Sequence, residues 1–94
     1  MERLDRIELR LREALEADPV EVVDESHLHA GHTGARDGGG HFRALVVSQR
    51  FRGASRVERQ RLVYAALAAE MGSEIHAFSM QTLTPEEWAE RSTP

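Results

Sequence analysis

Residues 41–80, HFRALVVSQRFRGASRVERQRLVYAALAAEMGSEIHAFSM, decide the fold, because the hydrophobic period changes twice within them. His41 to Ser48 is rich in β-forming residues, and Ala44 to Val47 is continuously apolar, as in a strand covered on at least one side. The period then becomes helical. Gly53 permits a sharp turn, and Ser55 followed three residues later by Glu58 matches a capping box, which satisfies the first free amides of a helix. Val57, Leu62, Tyr64, Ala66, Leu67 and Met71 supply the apolar content of that helix, and Gly72 is placed to end it. A short helical turn at Ser48 to Arg52 followed by this helix makes a helix-turn-helix pair. Ser73 to Met80 then reads as a strand, with Ile75, Ala77 and Ser79 facing one way and His76, Phe78 and Met80 the other.

The flanks complete the pattern. Leu4, Ile7, Leu11, Ala14 and Leu15 recur at helical spacing and predict a first helix near residues 2 to 17, ended by Asp18 and Pro19. VEVVDES, from Val20, is β-branched and predicts a short strand pairing antiparallel with the one that follows the glycine loop. Thr84, Pro85 and Glu87 suggest a second capping box, opening a short final helix that carries Trp88. The expected order is α-β-β-α-α-β-α, an α+β sandwich with a three-stranded sheet and helices on one face, forming a single domain over residues 1–94.

Composition narrows the function classes. The 94 residues contain no cysteine, which excludes disulfides, cysteine-ligated zinc and a self-contained thiolate iron-sulfur cluster. No apolar run approaches the length of a membrane span, and MERLDRIELR is too charged for a signal peptide, so the chain reads as soluble and cytoplasmic. The net charge of −4 conceals an asymmetry: residues 1–25 hold four arginines against nine acids, whereas residues 43–61 hold six arginines against the single Glu58. One face is therefore expected to be cationic.

Four of the five histidines fall in DESHLHAGHTGARDGGGHF, residues 24–42. The spacing of His27, His29 and His32 is compatible with convergence on one ion, although histidines without cysteine partners are weak evidence for zinc. GHTG, residues 31–34, resembles a phosphate cradle only superficially, because a strand rather than a helix follows it. Asp24, Ser26 and His27 can be drawn as a triad, but neighbours in a chain rarely supply triad geometry, and the chain is expected not to be an enzyme. His76 differs from the loop histidines in that a strand fixes its direction. Arg50, Arg52, Arg56, Arg59 and Arg61 straddle the helix-turn-helix and could contact phosphates while Gln60 reached a base edge.

The run from Asp24 to Met80 resembles the BolA family through several unlinked features: the DES-H-HAGH opening, the GGGHF strand entry, the VS-F-G turn, the VYAAL helix and the IHA strand. The resemblance implies a KH-like (class II) sandwich. It also implies an adaptor that pairs with a monothiol glutaredoxin and bridges a [2Fe-2S] cluster, with glutaredoxin and glutathione giving sulfur and this chain giving histidine. Carried over, the histidine of the IHA strand is His76, and the loop candidate is His29, with His32 as the substitute. Iron-sulfur trafficking or iron sensing would be the task, and the isolated chain would be a monomer or weak homodimer. The same family is also described as DNA-binding transcriptional regulators of stress response and cell morphology, for which Arg50, Arg52, Arg56, Arg59 and Arg61 match the basic region. Many relatives read R-H-R where this chain has Arg59-Gln60-Arg61, which removes a histidine from the patch and keeps its hydrogen-bonding capacity.

Overall fold

The structure, a computed structural model, describes residues 2–26 and 40–92. Helix α1 spans Arg3–Leu15, strand β1 Val20–Asp24, strand β2 Gly40–Val47, helix α2 Arg56–Ala66, strand β3 Ile75–Leu83 and helix α3 Pro85–Ser92. A 3₁₀ turn over Gln49–Phe51 precedes α2, so the shorter arm of the expected helix-turn-helix is a single tight turn. The architecture is α+β, with sheet order β1-β2-β3.

Strand β2 is central and pairs differently on its two sides. It runs antiparallel to β1, with Val22 opposite Ala44, and parallel to β3, with Phe42 opposite Phe78. Parallel neighbours cannot be joined by a tight turn, and the crossover is supplied by the 3₁₀ turn and α2. One face of the sheet is covered by helices. Ile7, Leu11 and Leu15 of α1, Val20 and Val22 of β1, Phe42, Ala44 and Val46 of β2, and Val63 and Leu67 from α2 and its end form a continuous core with Phe51 and Ile75. On the other face, Glu21, Val23, Arg43, Ala77, Ser79 and Gln81 are exposed.

Several boundaries differ from the sequence expectation for identifiable reasons. Helix α1 stops at Leu15 because Glu16 adopts the left-handed region (φ 52°, ψ 37°), two residues before the Asp18–Pro19 pair expected to end it. Ala14 is exposed, so the buried stripe is narrower than the spacing implied. In α2, Val57, Leu62 and Tyr64 are exposed, and Val63 and Leu67 carry the burial, since a helix resting edge-on against α1 and β3 hides only a narrow stripe. Helical geometry ends at Ala66, and turns continue to Gly72, whose φ of 87° is left-handed. Both capping boxes form: Ser55 with Glu58, and Thr84 with Glu87, where the Thr84 amide donates to Glu87 Oε1 at 2.7 Å and the Glu87 amide donates to Thr84 Oγ1 at 3.1 Å.

Ser48 ties the strand end to α1. Its side chain is buried, donates to the Leu15 carbonyl at 2.6 Å and accepts from the Arg50 amide at 3.0 Å. Replacing Ser48 with alanine removes partners from two backbone groups in a site closed to water, and chemical denaturation should show a loss of about 1–3 kcal/mol. Helix α3 is held by charge. The Glu87 carboxyl lies below the usual range chiefly because Arg59 donates to it, then because the Thr84 amide does, and Glu86 is lowered chiefly by Arg52. Depressed carboxylate values stabilise the folded state at neutral pH, and that contribution is lost as pH falls through the ordinary glutamate range and below. Trp88 emission, from the chain's one tryptophan, should therefore report an acid transition of α3 that moves to higher pH in Arg59→Ala.

Candidate functional site

His76 occupies a β-bulge. Gly40 pairs with Ile75 and the next residue, His41, pairs with Ala77, so β3 carries one extra residue against β2. A bulge of this kind re-aims a side chain and resets the alternation beyond it. Ile75 is buried, His76 and Ala77 are exposed, and Phe78 and Met80 pack partly against the core. The expected grouping of His76 with Phe78 and Met80 is therefore corrected: Ile75 shares their side, and His76 is turned out.

The same bulge brings His76 beside His41 at the start of β2. The two imidazole rings have centroids 5.3 Å apart and planes inclined by 44°. His41 was visible in the sequence as the histidine of GGGHF, but nothing in spacing alone placed residue 41 next to residue 76; only parallel pairing of β2 with β3 does so. His29 and His32 lie outside the described residues, as does His27.

Three sets of contacts fix this end of the sheet. The Glu74 carbonyl accepts from the Gly40 amide at 2.9 Å and from Arg3 Nη1 at 3.0 Å, linking the residue before His41 to the segment leading into His76. The Glu74 carboxylate pairs with Arg6, and the buried Glu70 carboxylate pairs with Arg10 at 3.1 Å. The arginines of α1 thus grip both ends of the 70–74 turn. On the β1 side, the Glu25 amide donates to the His41 carbonyl at 2.7 Å, the His41 amide donates to Ser26 Oγ at 3.1 Å, and the Ser26 amide donates to Asp24 Oδ1 at 2.9 Å. Asp24 and Ser26, drawn in the sequence as parts of a triad, act here as backbone caps at the base of the hairpin.

Chemically, imidazole nitrogens are donors for borderline metal centres; here the His76 ring is exposed, whereas His41 is half-buried with its Nε2 closed to solvent. Among the described residues no group of three or more histidine or carboxylate side chains is arranged to hold a metal ion.

The basic region is differently placed. Arg59 is mostly buried: it donates to the carbonyls of Ala54 and Thr82, each at 3.1 Å, and pairs with Glu87 at 2.7 Å, so it serves as a structural strut. Arg52 makes a forked pair with Glu86, through Nε at 2.8 Å and Nη2 at 2.5 Å, and Arg50 pairs with Glu16 at 3.3 Å. Arg56 and Arg61 are exposed and make no ion pair among the described residues, and Gln60 is half-buried beside them. No helix among the described residues is long and apolar enough to cross a membrane.

Comparison with known proteins places these features in a family. The model of the family described as "BolA-like protein" matches residues 11–87. The chain is 45% identical over 86 residues to human BolA-like protein 1, covering 92% of this chain and 61% of that protein's length. It is 39% identical over 84 residues to the DNA-binding transcriptional regulator BolA of Escherichia coli K12, covering 89% of this chain and 77% of the relative. Among solved structures, the BolA domain of SufE1 from Arabidopsis thaliana superposes with a TM-score of 0.80 at 39% identity, over 93% of this chain and 96% of that one.

Gly40 is the residue that most directly sets the histidine pair. A Cβ built there would lie 2.5 Å from Phe42 Cε2, and Phe42 is only 2% exposed, with the Arg3 guanidinium 5.5 Å from its ring centre, so the ring has little room to yield. Gly40→Ala should cost about 1–3 kcal/mol through overpacking. It should also weaken the imidazole-to-imidazole NOE between residues 41 and 76 in proton NMR.

Proposed function

This chain belongs to the BolA-like protein family, and from that premise we propose that it is a non-enzymatic adaptor supplying imidazole nitrogen to a [2Fe-2S] cluster shared with a monothiol glutaredoxin and glutathione. The observation that carries the proposal is the bulge at His76, which turns one imidazole outward and sets a second, His41, beside it. The donor chemistry fits. A [2Fe-2S] cluster needs four terminal ligands, histidine can replace cysteine on one iron, and a chain without cysteine contributes only by completing a site whose thiolates come from a partner.

In this reading His76 is the principal ligand. His41 joins His29 and His32 as a candidate for the second position, and its ring is already held near His76 by the Gly40–Glu74 bond. Bound there, the cluster would supply one-electron redox chemistry, at a potential that histidine ligation raises above that of all-thiolate sites. The residues of this chain orient the donors: Glu74 and Gly40 fix the separation of the strands, while Arg3, Arg6 and Arg10 stop the preceding turn from shifting. Iron-sulfur trafficking or iron sensing is the task that suits such an adaptor.

A second reading is duplex DNA binding through the helix-turn-helix. It is favoured by the exposed Arg56 and Arg61 flanking Gln60 on α2, and by the name of the Escherichia coli relative.

The adaptor reading is tested by reconstitution. The chain is mixed with a monothiol glutaredoxin, glutathione, iron and sulfide, and visible absorption and circular dichroism are followed. His76→Ala should alter the spectrum and speed cluster loss, and His41→Ala should do so if its ring fills the second position. An unchanged spectrum with an equally stable complex in His76→Ala would remove that residue from the site.

A further inference from the structure

Among the described residues, the acids that ion-pair with the basic region all come from outside it: Glu16 from the end of α1, and Glu86 and Glu87 from the first turn of α3. These pairs fall into two kinds. Arg59–Glu87 is fixed, because Arg59 has a side-chain exposure of 15% and also holds two backbone carbonyls. Arg52–Glu86 and Arg50–Glu16 lie in solvent, with side-chain exposures of 52% and 61% in the first pair and 53% and 56% in the second. Exposed pairs of this kind are weak and readily exchanged.

A forked guanidinium–carboxylate pair has the same bidentate geometry as guanidinium with phosphate. A depression of about 450 Å³ is lined by Arg56, Arg59, Gln60, Thr82 and Glu87, the residue that follows Glu86. Both ends of a phosphate track are therefore present, namely Arg56 and Arg61, exposed and without an ion pair among the described residues although Glu58 lies near enough to Arg61 to interact with it, and the masked Arg50 and Arg52. We propose that Glu86 and Glu16 are internal phosphate mimics that mask Arg52 and Arg50, so that duplex DNA engages the full helix-turn-helix face only by displacing them.

This inference rests on the second reading, that the helix-turn-helix binds DNA. It adds that α3 governs the affinity: with the masks in place the surface presents two arginines to phosphate, and with them displaced it presents four. Any change that moves α3 or neutralises Glu86 strengthens binding at Arg52, without a new contact to a base.

The test compares the binding of the full chain to a 20-base-pair duplex at low salt, with salt titrations, for the unmodified protein and three variants. Trp88 emission and circular dichroism confirm that each variant is folded. Glu86→Gln should bind about two- to five-fold more tightly, the range that an exposed ion pair represents. Its log-log salt slope should steepen by up to about 0.9, one phosphate contact. Glu90→Gln makes the same charge change on the same helix, at an exposed residue with no ion pair among the described residues, and should gain less. Adding Arg52→Ala to Glu86→Gln should abolish the gain.

Equal gains for Glu86→Gln and Glu90→Gln would reduce the effect to net charge and overturn the masking. A gain that survives Arg52→Ala would do the same. In both cases the DNA reading would stand. No binding by any form at low salt would overturn that reading and the masking with it.

Discussion

A single extra residue in β3 governs the arrangement of this protein. Because His41 pairs with Ala77 while Gly40 pairs with Ile75, residue 76 is left over in the ladder and turns outward, and Phe78 and Met80 recover the core side. The bulge lies at the start of the parallel β2–β3 pair, and that pair requires the crossover through α2. Its position is then enforced from three directions: the Gly40–Glu74 bond within the sheet, the α1 arginines on the 70–74 turn, and the Ser26 and Glu25 contacts from β1. The hydrophobic core under Ile7, Leu11, Phe42 and Ile75 is the platform that makes those polar contacts specific.

Charge is used twice in the fold, with opposite consequences. On α1, arginines stabilise the turn that leads to His76, and one of their partners, Glu70, is a buried carboxylate that would be costly to leave alone. On the helix-turn-helix, acids from distant parts of the chain cover the arginines. The excess of acids in the first 25 residues and of arginines in residues 43–61 is thus partly self-complementary, since Glu16 of the first segment meets Arg50 of the second. A cationic face read from composition becomes, among the described residues, two arginines without an ion pair, Arg56 and Arg61, and four that are paired, Arg43, Arg50, Arg52 and Arg59.

Much of the fold is legible in the sequence. Element order follows from changes of hydrophobic period, and both capping boxes from Ser55/Glu58 and Thr84/Glu87, because these signals are local. What depends on tertiary pairing is not legible. Strict alternation assigned His76 to the side of Phe78, since a bulge is an inserted residue that alternation cannot reveal. The proximity of His41 to His76 depends on β2 and β3 being parallel neighbours across an intervening helix, which no local pattern encodes. Arg59 read as part of a phosphate-binding patch, and its bracing of α3 was not legible, because Glu87 reaches it only once α3 folds back. Val57, Leu62 and Tyr64 suggested a buried face, but α2 buries just the narrow stripe around Val63 and Leu67.

Imidazole ligation from this chain can be observed directly. With the chain selectively labelled with ¹⁵N-histidine and the glutaredoxin unlabelled, pulsed electron paramagnetic resonance of the reduced cluster complex should show ¹⁵N hyperfine couplings in place of the ¹⁴N couplings of the unlabelled sample. Histidine donation requires that replacement. A reduced cluster whose nitrogen couplings are absent, or unchanged by the label, would contradict it.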